Sequence, residues 1–140
     1  MELHVAVEVE TPEEMMVNGY RNGYAQALFN ILVNARDAFG ESRTSDAKLK
    51  VRACKRDGKA VVTVTDNAGG IQEDNLEKIF DPFFTTKKSG EGTGIGLFMS
   101  KTMIEKNMGG SLTARNVAGC AEFCIEVREG FSKDSGWGEK

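Results

Sequence analysis

The sequence predicts an α+β fold: a two-layer sandwich in which a mixed, mostly antiparallel sheet packs against helices. Three observations predict it. Strand-like alternation or β-branched runs occupy residues 3–9, 60–65 and 121–127, while helical periodicity occupies 22–39 and 95–107. Tight turns such as Asp57-Gly58 join strand to strand, which implies antiparallel neighbours. Each long helix has one apolar face that must be buried against a sheet.

The elements follow in chain order. Leu3, Val5, Val7 and Val9 recur at period two and mark a first strand. Thr11-Pro12-Glu13-Glu14 has the chemistry of a helix start, but Asn18-Gly19 turns the chain soon after, so one helical turn or a short edge strand is expected there. From Asn22 to Phe39 the pattern is helical, with Leu28, Leu32, Ala35 and Phe39 on one stripe and Ile31 at its margin. Val51 and Ala53 open a second strand region, Asp57-Gly58 is a hairpin turn, and Ala60 to Thr65 is a β-branched run. Glu73 to Ile79 reads as a short helix. Thr85 to Thr93 is polar and glycine-bearing, with too little apolar content to hold itself down, and reads as a mobile loop. Ile95 to Asn107 is a second long helix stopped by Gly109-Gly110. Ser111 to Asn116 and Ala121 to Val127 make a closing hairpin. One domain over 1–128 and a flexible tail over 129–140 result.

Composition excludes several functions. A chain of 140 residues, 40% hydrophobic, supports one modest core. No apolar run approaches the ~20 residues of a membrane span, and the first residues lack a signal peptide's basic and apolar regions, so no direct membrane contact is expected. A net charge of -3 with scattered basic residues argues against nucleic acid. Cys54, Cys120 and Cys124 form no CxxC pair, and Cys120 and Cys124, on one face of a strand, read as buried free thiols in a reducing setting, without zinc. The isolated chain reads as a monomer.

Four short motifs carry chemistry. On the first long helix Asn30, Asn34 and Asp37 fall at i, i+4 and i+7 and share a stripe. A solvated polar face is the simple account, yet two asparagines in mid-helix need a reason, because this residue favours caps and turns. Carboxamide oxygens can share Mg²⁺ with phosphate oxygens without adding negative charge. Asp66 ends the run Val61 to Thr65 and opens into Asn67-Ala68-Gly69-Gly70-Ile71. It is either an ordinary strand-to-loop turn or a carboxylate that accepts a hydrogen bond from the exocyclic amine of adenine, with Gly70 letting the backbone approach the base. Gly92-Thr93-Gly94-Ile95-Gly96-Leu97 enters a helix, as phosphate-binding turns do, although a flexible hinge would look the same. Phe80, Phe83 and Phe84 flank Pro82 as a hydrophobic anchor for the loop, and Lys87 could reach a terminal phosphate or sit in solvent.

Together these residues resemble the N box (Asn30 to Ala35), first glycine box (Asp66 to Ile71), F box (Phe80 to Phe84) and second glycine box (Gly92 to Leu97) of sensor histidine kinase catalytic domains. Those domains belong to the gyrase, Hsp90, histidine kinase and MutL superfamily. The match spans about residues 3 to 127. It implies a Bergerat-type sandwich with ATP held between sheet and helices under residues 85–93, the ATP lid. By that resemblance Asn34 is the Mg²⁺ ligand through the ATP phosphates, Asn30 assists at the phosphates, and Lys87 meets the γ-phosphate. The same likeness makes Asp66 the adenine contact and puts Asp37, Gly70, Ile71, Ile79, Phe84, Gly92, Thr93, Gly94, Ile95, Gly96 and Leu97 around the nucleotide.

Two departures from the family pattern are visible: Ala68 stands where glycine is frequent, and no proline follows Val127. ATP-hydrolysing relatives carry glutamate where this chain has Asn30, and an amide cannot take a proton from water. The resemblance therefore implies γ-phosphate transfer to a histidine on a separate dimerisation domain, with a response regulator downstream, in a cytoplasmic protein or the cytoplasmic part of a membrane-anchored sensor. His4, on a strand, reads as a surface residue rather than the acceptor. A nucleotide-gated interaction module, or a serine kinase or ATPase of the same superfamily, is the alternative.

Overall fold

A computed structural model of the chain describes residues 4–11, 21–84 and 95–129. The elements are β1 (Val5–Glu10), α1 (Arg21–Ser42), β2 (Ala47–Arg56), β3 (Lys59–Asp66), α2 (Gly96–Thr102), β4 (Ser111–Val117) and β5 (Cys120–Arg128). They form a five-stranded sheet in the order β1-β2-β3-β5-β4. Only the β1–β2 pair is parallel, as a strand–helix–strand connection through α1 allows. Both hairpins turn on a pair of residues with positive φ, Asp57-Gly58 and Ala118-Gly119, the twist that a two-residue connection needs. The two-layer α+β sandwich is as the sequence predicts.

Register explains where the core and the site lie. Three rows cross four strands on the face toward the helices: Ala53, Val62, Ile125 and Leu112; Val51, Val64, Phe123 and Ala114; and Leu49, Asp66, Ala121 and Asn116. The first two rows are apolar and meet Ala27, Ile31 and Ile104 in the main core. The third row, at one end of the sheet, carries a carboxylate and a carboxamide. These polar groups stand among the buried Ala121 and the partly buried Leu49, so polar chemistry gathers at a packed end of the sheet.

The opposite sheet face carries ion pairs, including Glu10 with Lys50 and Arg52, Glu126 with Arg56 and Lys59, and Arg115 with Glu122. Such exposed pairs contribute about 0–1 kcal/mol each, so they keep this face wet rather than hold the fold. Cys120 and Cys124 share it, and all three thiols are free and half-buried rather than buried.

Several local expectations are corrected. Helix α1 is longer than predicted, and its buried stripe is Ala27, Ile31, Ala35 and Phe39, so Ile31 is central while Leu28 and Leu32 flank it. An i, i+4 series of small and branched residues lets α1 sit close to the sheet. Val7 and Val9 are exposed on the edge strand β1, whereas Val5 at its start packs on the Ala35, Phe39 and Ala47 cluster. Residues 73–79 give only a 3₁₀ turn at Glu73–Asn75, followed by i→i+3 bonds from Lys78 to Asn75 and from Asp81 to Lys78. Leu76 and Ile79 are too few apolar contacts for a longer helix. The second helix is α-helical only to Thr102 and widens into a π turn at Met103–Asn107. There Gly110 N–H reaches back to Ile104 O at 2.9 Å, and Glu105 Oε2 accepts the Leu112 N–H at 3.2 Å. A Cβ on Gly110 would lie 2.2 Å from the Glu126 carbonyl oxygen, so only glycine lets the chain cross β5 at this point. Beyond Thr11 the predicted helix start, and the tail beyond residue 129, lie outside the described residues.

Candidate functional site

Asp66 is the last residue of β3 and 3% exposed. Its Oδ1 accepts the Ala68 N–H at 3.1 Å, while Oδ2 accepts no hydrogen bond from the described residues. A buried carboxylate with one oxygen held and one oxygen open is a poised acceptor. Burial pushes its pKa above the ordinary carboxylate value, and the Ala68 N–H offsets only part of that. A carboxyl with a raised folded-state pKa favours the folded chain when protonated and disfavours it as pH rises through that pKa. Asp66→Asn should therefore melt higher than the wild type at pH 7, and the gap should close as the pH falls toward 3.8, the ordinary value. Thermal melts across that range check the sign.

The loop after Asp66 is fixed on the β2 side by a side-chain amide. Asn67 Oδ1 accepts the Lys48 N–H at 2.8 Å and its Nδ2 donates to Asp46 O at 3.0 Å, so the amide extends the β2–β3 ladder by one rung. Ala68 packs against the Ala35, Phe39 and Ala47 cluster, which sets the strand end that bears Asp66 against the stretch of α1 that bears Asn34. Gly70 has φ +81° and approaches Asn116 and the Gly119 carbonyl too closely for a Cβ. Ile71 and Ile79 are half-buried and pack on the main core.

The polar stripe on α1 is more divided than its spacing suggests. Asn30 Nδ2 donates to Gly96 O at 3.2 Å and its Oδ1 accepts from Gln26 at 3.1 Å, so this amide ties α1 to the start of α2. Ser100 completes the tie, its hydroxyl 3.1 Å from Ala27 O. Asn34 is half-buried and its side chain makes no hydrogen bond among the described residues, which leaves the carboxamide oxygen open. Asp37 pairs with Arg36 at 3.2 Å. Gly96 starts α2 in contact with Asn30, Ile95 precedes it, and Leu97 packs on the core.

Of the three phenylalanines, Phe80 is the anchor. Its ring meets Phe123 edge-on at 6.1 Å, and Lys101 Nζ lies 4.8 Å over it. Phe84 is half-buried, whereas Phe83 is 74% exposed with φ +69°, so it holds nothing down. Lys87, Gly92, Thr93 and Gly94 lie outside the described residues. An open groove of about 550 Å³ lies beside the F box, lined by Phe80, Pro82, Phe98, Lys101, Glu105 and Thr113 among others, and by none of Asn30, Asn34, Asp37, Asp66 or the glycines singled out from the sequence. Sequence reasoning missed Asn67, Ser100 and Asn116. Their roles come from pairing with distant backbone, for which spacing gives no signal.

Among the described residues no cluster of three His, Cys, Asp or Glu could hold a metal, and no helix is long and apolar enough to cross a membrane. The family model for the histidine kinase-, DNA gyrase B- and HSP90-like ATPases matches residues 19–130. The chain belongs to this family. Among curated relatives of this ATPase domain, the two-component sensor PprA of Pseudomonas aeruginosa is 42% identical over 87% of the chain. Sensor histidine kinase ZraS of Salmonella typhimurium is 38% identical over 67%. The chain spans 14% and 19% of their respective lengths. The nucleotide-free catalytic domain of histidine kinase ThkA superposes with a TM-score of 0.77 at 32% identity, covering 89% of this chain and 79% of that one. ThkA in complex with the response regulator TrrA matches at 0.72 and 29%, covering 90% of this chain and 34% of that one. The four motifs thus sit in a histidine kinase-like ATPase domain.

Proposed function

We propose that this domain binds Mg-ATP and donates the γ-phosphate to a histidine on a dimerisation domain outside this chain, in a two-component sensor. The observation that carries the reading is Asp66: a buried carboxylate whose open oxygen, at a sheet end, matches the exocyclic amine of adenine. Guanine would present a carbonyl oxygen there and leave the charge unanswered, a mismatch that costs far more than a lost methyl. Gly70 brings the backbone of the same loop close to the base plane. Asn34 fits a hard cation, because its carboxamide oxygen is open and neutral; bound Mg²⁺ supplies charge neutralisation between phosphate oxygens. Asn30 braces α2, the helix that leads out of the second glycine box, and Lys87 completes the phosphate end from the lid.

Transfer rather than hydrolysis follows from what α1 lacks. Its only acids are Asp37 and Glu41, and Asp37 is already paired with Arg36. Neither stands at the Asn30 position, so a water there would find no base. Positioning then does most of the work, as phosphoryl transfer requires. A response regulator is the downstream acceptor, as the ThkA complex with TrrA suggests by analogy, and the cytoplasm is the compartment that supplies ATP.

The test mixes the purified chain with labelled ATP and the separately expressed dimerisation domain of the parent kinase. Acid-labile phosphohistidine should form, and Asn34→Ala should slow it by about tenfold or more while leaving the fold intact. Nucleotide binding without phosphohistidine under varied conditions would instead favour a nucleotide-gated interaction module.

A further inference from the structure

We propose that Asn116 is the positioning residue of the adenine loop, a role that rests on the nucleotide reading above. Asn116 is near the end of β4, on the inner face, in the row that also holds Ala121 and Asp66. Its Oδ1 accepts the Ile71 N–H at 2.7 Å and its Nδ2 donates to Ile71 O at 2.6 Å. Both backbone groups of one residue are thus satisfied by one carboxamide, which acts as a one-residue strand. Glu73 lies 3.4 Å from the same Nδ2, on the turn that follows.

This arrangement fixes the backbone at the far end of the loop, where the Ile71 side chain packs on the main core. The loop leaves β3 at Asp66 and must cross the sheet end over β5 before it can turn back. Ala121, 4% exposed and small, stands in the middle of the row and leaves room for that crossing. Two strand spacings, about 10 Å, separate Asp66 from Asn116, a span that the four residues 67–70 can bridge. Gly69 and Gly70 both have positive φ, so the crossing is built from residues with little conformational preference of their own. Asn67 clamps the β2 side and Asn116 the β4 side. The Cβ position of Gly70 lies 2.9 Å from Asn116 Oδ1, so the carboxamide also fixes how near the glycine backbone stands to the ligand side. With the clamp in place, Gly70 is set relative to the Asp66 carboxylate before any nucleotide arrives. Without it, the loop must be ordered during binding, and the base-reading geometry is lost along with affinity.

Calorimetric titration of the purified chain with ADP and with its inosine counterpart, which lacks the amine, tests this in wild type, Asn116→Ala and Asn116→Asp. The aspartate is nearly isosteric and keeps an acceptor for Ile71 N–H, but it sets a carboxylate oxygen against Ile71 C=O. Both variants should bind ADP about tenfold more weakly, and the preference for ADP over the inosine nucleotide should shrink. The Ile71 amide should exchange hydrogen faster, with melting points within a few degrees of wild type. Unchanged ADP affinity in both variants, or equal weakening for the two nucleotides, would overturn the positioning role. If Asn116→Ala does not fold, Asn116→Asp decides by the same criteria. A wild-type chain that binds no ADP would sink the nucleotide reading, and this inference with it; wild-type binding with unaffected variants sinks this inference alone.

Discussion

Asp66→Asn is expected to lower the affinity for adenine nucleotides by about a hundredfold or more, while the folded chain should become more stable at neutral pH. The geometry gives the reason why so small a change should have so large an effect. The carboxylate has two acceptor oxygens, and Ala68 N–H occupies one of them. An asparagine has a single acceptor oxygen, so if it keeps the Ala68 bond it turns its NH₂ toward the ligand. Two donors then face each other where adenine presents its amine. A guanine oxygen would meet the same NH₂ without conflict, so the ADP to GDP preference should fall with the ADP affinity. Competition titrations with the two nucleotides measure this. An unchanged preference would remove the adenine assignment, whatever happened to stability.

Phe123→Ala acts with the opposite balance, on the fold first. Phe123 is 2% exposed in the middle of the second apolar row and carries the edge-on contact with Phe80. Truncation leaves a cavity between sheet and helices and should cost about 4 kcal/mol. For a domain of this size that lowers the melting point by roughly 10 °C. Because Phe80 is the anchor of the F box, the loss should also loosen residues 80–84, seen as faster amide exchange there. A melting point within a few degrees of wild type would show that Phe123 is not at the centre of the core.

The two substitutions mark what could be read in advance. Alternation along β3 and β5, the Asp57-Gly58 turn and the helical period of α1 depend on neighbours in sequence, and the elements appear where those signals stand. The candidate site residues stand out in the sequence for a different reason: each is a residue type that its local element does not call for, such as Asp66 before paired glycines at a strand end. What escaped depends on register and on distant partners. Ile31 falls at the margin of the sequence stripe because helical spacing alone does not say which of two adjacent stripes a sheet will cover. The π turn at Met103–Asn107 follows from Gly110 reaching back to Ile104, a contact set by how β4 joins the sheet. Asn116 gave no local signal, since its partner Ile71 is brought to it only when β4, β5 and β3 align. Asn30 stands out in the sequence as an asparagine in mid-helix, but its tie to Gly96 depends on the approach of α2.

Adenine nucleotide is expected to bind at the polar end of the sheet, between Asp66 and the asparagine stripe of α1. Amide chemical shifts of the isotopically labelled chain, followed during titration with Mg-ADP, test it most directly. Saturable shifts should concentrate at residues 66–71, around Asn34 and at Gly96. Shifts confined to the groove at Phe98, Lys101 and Glu105, or no saturable shifts at millimolar nucleotide, would contradict it.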